Sequence, residues 1–137
     1  MWNSKKAQNS QPLSEYPPGT FVQTEKGYFY IVPGNEIVEF KRFRFTTNRV
    51  LDSWSPQRIV KTTEENLSKY RVVAKMKFRP GSLLWCQADA KMYLVSDNKV
   101  RHITSPDILS GLGMSHKDAV WVSEDEINLH EKGAPLG

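Results

Sequence analysis

The sequence lacks the features of a secreted, disulfide-stabilised or membrane-spanning protein. Cys86 is the single cysteine, so no disulfide can form within the chain, and we expect synthesis in a reducing compartment. No run approaches the roughly 18 apolar residues of a membrane-spanning helix, and residues 1–12 lack the apolar stretch of a signal peptide. These absences predict a protein that is made in the cytoplasm and leaves it, if at all, inside a particle.

Patterns of catalytic or metal-binding residues are equally scarce. The histidines at positions 102, 116 and 130 are far apart and do not have the spacing of metal ligands. The sequence contains no glycine-rich phosphate loop, and Cys86 lies in an apolar segment that favours a buried, unreactive thiol. We therefore predict a protein that is not an enzyme and that requires no cofactor and no metal.

Composition and charge nevertheless favour a folded protein that binds something. Hydrophobic residues make up 39% of the chain and aromatic residues 11%, which is enough for a core. The net charge of +4 comes from residues 1–72, whereas the charges in 73–137 balance and end with the acidic cluster 124–126. This polarity suits contact with unlike protein neighbours at least as well as binding to nucleic acid.

An internal repeat is the most informative feature of the sequence. Short blocks recur in the same order: 18–22 matches 80–84, 30–32 matches 93–95 with Asn35 on Asn98 and Ile37 on Val100, Ser55 falls on Ser115, and 60–67 matches 120–127. Agreement of several blocks in one order predicts the duplication of a β-rich module. A module of about sixty residues is marginally stable alone, so we expect it to be stabilised by its neighbours.

Each copy has the pattern of three strands followed by short helices. The predicted strands are 20–23, 28–32 and 36–45 in copy one and 82–85, 92–95 and 99–103 in copy two, with tight turns at 33–35 and 96–98. Ser105, Pro106 and Asp107 have the signature of a helix start, which Gly111 and Gly113 would terminate. A capping box at 123–126, with 63–66 as its weaker counterpart, predicts a last short helix.

These elements define the predicted fold class and domain organisation. We expect an α+β, β-rich protein made of two tandem copies of a small three-stranded antiparallel meander followed by short helices. The predicted divisions are a flexible N-terminal arm at 1–16, repeat module 1 at 17–72, a linker or connecting strand at 73–79, repeat module 2 at 80–132 and a C-terminal tail at 133–137.

Copy two resembles a known module. The segment 93–106, followed by Gly111 and Gly113 and by the segment 120–126, is similar to a short β-hairpin-plus-helix repeat that occurs in tandem in bacterial surface proteins and in phage virion structural proteins. Copy one departs from this pattern, because Val38, Glu39 and Phe40 stand where copy two has 101–103. The resemblance implies an adhesive or structural module and brings no catalytic residue with it.

The resemblance and the absence of an export signal together predict a virion accessory component. We expect a tail, baseplate, neck or capsid-decorating subunit that is assembled in the host cytoplasm and contacts other structural proteins, in multiple copies and without a membrane. The candidate interface residues are large aromatic and basic side chains: Trp2, Arg42, Phe43, Arg44, Arg49, Lys75, Lys77, Trp85 and Trp121. Trp54, Trp85 and Trp121 are interpreted first as core anchors, and an exposed tryptophan among them would be the first interface candidate.

Two other binding functions remain open from the sequence. In the segment 40–45, arginines alternate with phenylalanines, which is the combination that single-stranded nucleic acid needs. A nucleic-acid-binding module would use Arg42, Arg44 and Arg49 with Lys75 and Lys77, but the same segment could be a core strand with its arginines in solvent, or an interface with an acidic protein. A cell-wall or carbohydrate-binding module would use exposed aromatics such as Tyr28 and Tyr30.

Overall fold

The computed structural model describes Leu13 and residues 15–137, which form two five-stranded mixed sheets with a few short helices. The α+β, β-rich class predicted from the sequence is therefore confirmed. The strands are β1 (Phe21–Thr24), β2 (Gly27–Val32), β3 (Lys41–Arg44), β4 (Val60–Lys61), β5 (Arg71–Lys75), β6 (Leu83–Cys86), β7 (Met92–Ser96), β8 (Lys99–His102), β9 (Val120–Val122) and β10 (Glu131–Lys132). The helices are α1 (Asn48–Ser53), α2 (Pro106–Gly111) and α3 (Glu124–Ile127), with a 3₁₀ turn at His116–Asp118.

The first sheet has the strand order β4-β1-β2-β3-β5. β1, β2 and β3 pair in antiparallel fashion, whereas β4 runs parallel to β1. Because side chains alternate across a strand, one face of the sheet collects Val22, Phe29 and Ile31, which are all buried together with Leu67 and Tyr70. This cluster is the core of the first sheet.

The second sheet has the order β10-β8-β7-β6-β9. β6, β7 and β8 are antiparallel, and both edge strands run parallel to their neighbours. One face of the sheet carries its most deeply buried side chains, which are Leu84, Cys86, Tyr93, Val95, Val100 and Val122. The opposite face carries Leu83 and Ile103, which pack against Leu109 of α2.

The chain divides into two compact units that are not contiguous in sequence. Pro56–Ala74 packs with the chain up to Phe45, whereas Thr46–Ser55 packs with Lys75–Gly137. Two of the hydrogen bonds that hold α1 in the second unit join its C-terminal end to 77–79: Trp54 Nε1 donates to the Lys77 carbonyl (2.8 Å), and the Arg79 N–H donates to Ser53 Oγ (3.1 Å). Packing thus places α1 with the second sheet, although the repeat alignment puts its residues in module 1, whose boundaries stay a prediction.

The third strand of copy one was predicted too early. It begins at Lys41 rather than at residue 36, and 33–40 forms a connection in which Asn35 Oδ1 accepts the N–H groups of Ile37 and Val38 (2.9 and 2.7 Å). Such a local side-chain bond competes with strand pairing. The match of Ile37 to Val100 was therefore wrong, because Ile37 is 90% exposed whereas Val100 is completely buried.

Several local predictions in copy two are confirmed. Asp97 and Asn98 have φ values of 53° and 62°, as a two-residue hairpin turn of the mirror-image type requires. Ser105 caps α2, and the capping box of Ser123 with Glu126 opens α3. In copy one, the residues after Thr63 form turns rather than the expected short helix. The parallel strands β4 and β9 were not predicted from the sequence at all.

Candidate binding surface

Strand pairing places two tryptophans side by side on the second sheet. Trp85 on β6 is directly opposite Trp121 on β9, and their rings stack at 4.3 Å between centroids with an interplanar angle of 13°. The Trp85 indole N–H donates to the Ala90 carbonyl (3.3 Å), which fixes the ring, while Trp121 is 45% exposed. The pair is therefore a preformed aromatic surface at the edge of the sheet.

A groove of about 310 Å³ lies next to Trp85. Met92 pairs with Trp85 across β6 and β7, and the Ile103 N–H donates to the Met92 carbonyl (2.9 Å). Trp121, Trp85, Met92 and Ile103 thus form a row across one face of the sheet, and Leu109 of α2 also lines the groove. An apolar floor beside an exposed indole can bury part of a binding partner.

A larger depression of about 430 Å³ also belongs to the second unit, but its lining is of mixed charge. Asp52 and Asp118 line it together with Arg49, whose guanidinium already pairs with Glu126 (2.9 Å). We therefore regard the tryptophan pair with its groove, called here the tryptophan surface, as the candidate binding site.

Arg42 is buried in an ion pair rather than exposed. Its guanidinium makes two hydrogen bonds to Glu64 (2.7 and 2.9 Å) and a third to the Tyr70 carbonyl (3.1 Å), and it lies 4.2 Å from the centre of the Phe29 ring. The Arg42 hydrogen bond, which outweighs partial burial, holds the pKa of Glu64 below its usual value. The expectation that the arginines of this strand face solvent is therefore wrong for Arg42.

The rest of the basic and aromatic strand offers only part of the surface that nucleic acid would need. Arg44 is exposed, but Phe45 is buried and Phe43 is half-buried. A buried ring cannot stack on a nucleotide base. The Arg42 guanidinium already donates to Glu64 and Tyr70, so fewer of its N–H groups are free to bind a phosphate. Tyr28 and Tyr30, the aromatics named for a carbohydrate ligand, are both half-buried. Both alternative functions stay predictions.

Arg49 has a structural partner in Glu126, which is 2% exposed. Thr47 Oγ1 donates to the same carboxylate (2.6 Å), and so does the Ser123 backbone N–H (2.9 Å). Burial alone would raise the pKa of Glu126, but these hydrogen bonds and the Arg49 charge overcome that effect and hold the pKa below its usual value. One carboxylate thus binds α1 to the start of α3.

The remaining candidate residues have separate positions. Lys75 is exposed at the end of β5, and Lys77 is half-buried, with its carbonyl bonded to Trp54. Trp2 lies outside the described residues, as does nearly all of the predicted arm. Its last residue, Tyr16, is buried and donates its N–H to the Tyr70 hydroxyl (2.8 Å).

His130 is a structural residue that sequence reasoning missed. His130 is 5% exposed, and its ring nitrogen Nε2 accepts the Phe78 N–H (3.0 Å). The ring therefore carries its proton on Nδ1, which donates to the Asn98 carbonyl (2.8 Å). Burial, assisted by Lys77, lowers its pKa despite the Asn98 bond. Within residues 15–137 no group of histidine, cysteine or carboxylate side chains could hold a metal ion. Cys86 is buried, as its apolar context predicted.

None of the helices in the described part of the chain is long and apolar enough to cross a membrane. Comparison with protein-family models, with curated proteins and with solved structures found no match. The functional interpretation therefore depends on the chain's own geometry.

Proposed function

We propose that the chain is a non-enzymatic structural protein that acts through protein–protein contacts in a larger assembly, as a virion accessory component. The tryptophan surface is the observation that supports this proposal. Tryptophan is enriched among the residues that contribute most binding energy at interfaces, and Trp121 is 45% exposed while its stacking on Trp85 holds it rigid. A rigid aromatic anchor loses little conformational entropy on binding.

The proposal includes a tandem duplication of one meander-plus-helix module. Register supports it, because Val22 pairs with Phe29 and Val60 in the first sheet. Leu84, the residue aligned with Val22, pairs in the same way with Tyr93 and Val120 in the second sheet. The register thus aligns Phe29 with Tyr93, so the match of 30–32 to 93–95 was wrong by one residue. Both sheets therefore combine an antiparallel meander with a parallel strand beside its first member.

A matched pair of buried hydrogen bonds supports the duplication independently. Tyr16 donates its N–H to the Tyr70 side chain, and Phe78 donates its N–H to the His130 side chain. Each donor lies just before a Pro-Gly turn, and each acceptor lies three residues after the buried Leu67 or Ile127. The chemical group at the acceptor position has changed while the bond is kept.

The buried charged and polar side chains support a structural rather than a catalytic role. Arg42 is neutralised by Glu64, Glu126 accepts hydrogen bonds from two elements, and both nitrogens of His130 are bonded to backbone groups. Each of these groups therefore stabilises the fold, and its hydrogen-bonding capacity is already used.

The two modules present different surfaces to a partner. The positions of Trp85 and Trp121 correspond to Gln23 and Lys61, which also face each other on paired strands. An aromatic pair in one copy and a polar pair in the other predicts that partner binding resides in the second sheet.

The test is incorporation into particles. Particles released from cells that carry the gene would be purified by sedimentation, and the chain would be quantified in them by mass spectrometry. We expect the natural chain in fixed proportion to the other structural proteins and the Trp121→Thr variant mainly in the unsedimented fraction, because loss of an interface anchor costs roughly 2 kcal/mol or more.

The matched control is Val120→Thr, the exposed neighbour on the same strand whose side chain points to the other face. It should be incorporated normally. Incorporation of Trp121→Thr at the natural level, or the absence of the natural chain from the particles, would contradict the proposal.

A further inference from the structure

The second unit is completed by a helix that comes from module 1. α1 binds it through Thr47 and Arg49, which both donate to Glu126, and through Ser53, which accepts the Arg79 N–H. A fourth contact joins the Trp54 indole to the Lys77 carbonyl. The helix and the surface that receives it are thus separate parts of the repeat.

In α2, the positions that correspond to the contact residues Arg49, Ser53 and Trp54 of α1 are exposed. Thr47 and Ser105 are the N-caps of the two helices, which have the same length, so Arg49 corresponds to Asp107 and Ser53 to Gly111. Asp107 and Gly111 are exposed, and so is Leu112, the C-cap residue, at 42%.

The first unit contains the corresponding receiving surface. Asn66 corresponds to Glu126, because its N–H donates to Thr63 Oγ1 (3.1 Å) as the Glu126 N–H donates to Ser123 Oγ (3.2 Å). Pro17 corresponds to Arg79, because the carbonyl of each accepts from the residue three positions on. Asn66 is half-buried and Pro17 is exposed.

The residues at these two surfaces have changed in a complementary way. In the second unit, the Glu126 carboxylate accepts from the Thr47 hydroxyl and the Arg49 guanidinium. The Asn66 amide donates one N–H to Thr62 Oγ1 (3.2 Å), so it can accept from a Ser105 hydroxyl and donate its second N–H to an Asp107 carboxylate. Pro17 has no N–H to satisfy, and Gly111 has no hydroxyl to accept one. The fourth contact is not reproduced, since Leu112 lacks an N–H donor in its side chain.

We propose that α2 of one chain docks onto the Asn66 and Pro17 surface of the first unit of a second copy. This docking rests on the duplication in the proposed function and names a second copy of the chain as a partner. The contact is head-to-tail, so it leaves one α2 and one receiving surface free at the ends and can add further copies. It would not use the tryptophan pair, although Ser105, the N-cap of α2, also lines the groove beside Trp85.

Sedimentation velocity of the full-length chain over a range of concentrations tests the docking. We expect Asn66→Glu to weaken self-association by roughly tenfold or more, because a carboxylate would then face Asp107. The double variant Asn66→Glu with Asp107→Arg recreates the pair that Glu126 and Arg49 form within the chain. It should associate more tightly than both the single variant and the natural chain.

Asn48→Glu is the matched control, since it makes the same chemical change at an exposed position in the first turn of α1. It should associate like the natural chain, and circular dichroism confirms that every variant is folded. A double variant that associates no more than Asn66→Glu would overturn the docking. That result would leave the particle assay of Trp121→Thr unaffected, so the two failures are distinguishable.

Discussion

At the scale of single residues, matching register positions in the two sheets are buried with different chemistry. Register places Arg42 opposite Ile31 and Val100 opposite Val95, so a buried cation in one sheet occupies the place of a buried aliphatic side chain in the other. The cation is tolerated because Glu64 pairs with both ends of its guanidinium. A buried charge without such a partner costs several kcal/mol.

His130 makes stability depend on pH. Its pKa is depressed in the folded protein, so its contribution is fully present above the unfolded value of 6.5 and is lost as pH falls through the lower folded value. We expect the free energy of unfolding to fall by up to about 1.4 kcal/mol per pH unit as the pH drops from 6.5 towards the lower folded pKa.

Urea unfolding measures this slope at pH values from about 7 to 5. This interval lies above the pH range in which most carboxylates take up protons. His130→Gln should be less stable at neutral pH but should lose the slope. His116→Gln, at an exposed position, should keep it. A slope that persists in His130→Gln would show that another group is responsible.

At the scale of elements, caps and buried partners rather than helix propensity hold the short helices. α1 and α2 have six residues each and α3 has four, far below the roughly 12 to 15 residues at which an isolated helix becomes stable. Glu126 serves two of them, because it completes the capping box of α3 and accepts from the N-cap hydroxyl of α1.

Replacing Glu126 should therefore loosen two elements at once. We expect Glu126→Gln to lower the free energy of unfolding by about 1 to 3 kcal/mol, because an amide has one acceptor oxygen where the carboxylate has two. Hydrogen exchange should rise in both α1 and α3. The neighbouring Asp125 is exposed, and Asp125→Asn should change stability by no more than about 0.5 kcal/mol. An equal effect of both substitutions would argue against the shared role.

At the scale of the whole molecule, the chain passes between its two units more than once. Thr46–Ser55 belongs with the second unit, although the residues on both sides of it belong with the first. A boundary placed at the linker predicted from the sequence would separate α1 from Glu126. Stability of the second sheet is thus a property of the full chain.

A fragment of residues 75–137 should consequently fold poorly. It lacks α1, leaves the carboxylate of Glu126 without two of its donors, and at about sixty residues is of marginal size. Near-ultraviolet circular dichroism should show weak tryptophan signals that strengthen when a synthetic peptide of residues 46–55 is added, but not with a scrambled peptide. A fragment that melts like the full chain would contradict this expectation.

Prediction from the sequence succeeded where structure depends on neighbouring residues. The strands β1, β2, β6, β7 and β8, the turn at Asp97 and Asn98 and the capping of α2 and α3 all follow from local patterns. It failed at the start of β3, because the longer connection at 33–40 shifted the alignment by several residues. It also missed β4 and β9, since a parallel partner far along the chain leaves little local signal.

The sequence by itself determined the α+β class, the turn at Asp97 and Asn98, the caps of α2 and α3 and the prediction of a repeat, because each depends on short-range patterns of glycine, proline, hydroxyl and alternating apolar residues. The tight turn predicted at 33–35 and the helix predicted after Thr63 were wrong. Only the tertiary structure decided that Arg42 is buried, that α1 packs with the second sheet and that Trp85 stacks on Trp121. These features depend on strand register and on contacts between distant residues. A side chain's exposure is fixed by what packs against it, which its own sequence neighbours do not specify.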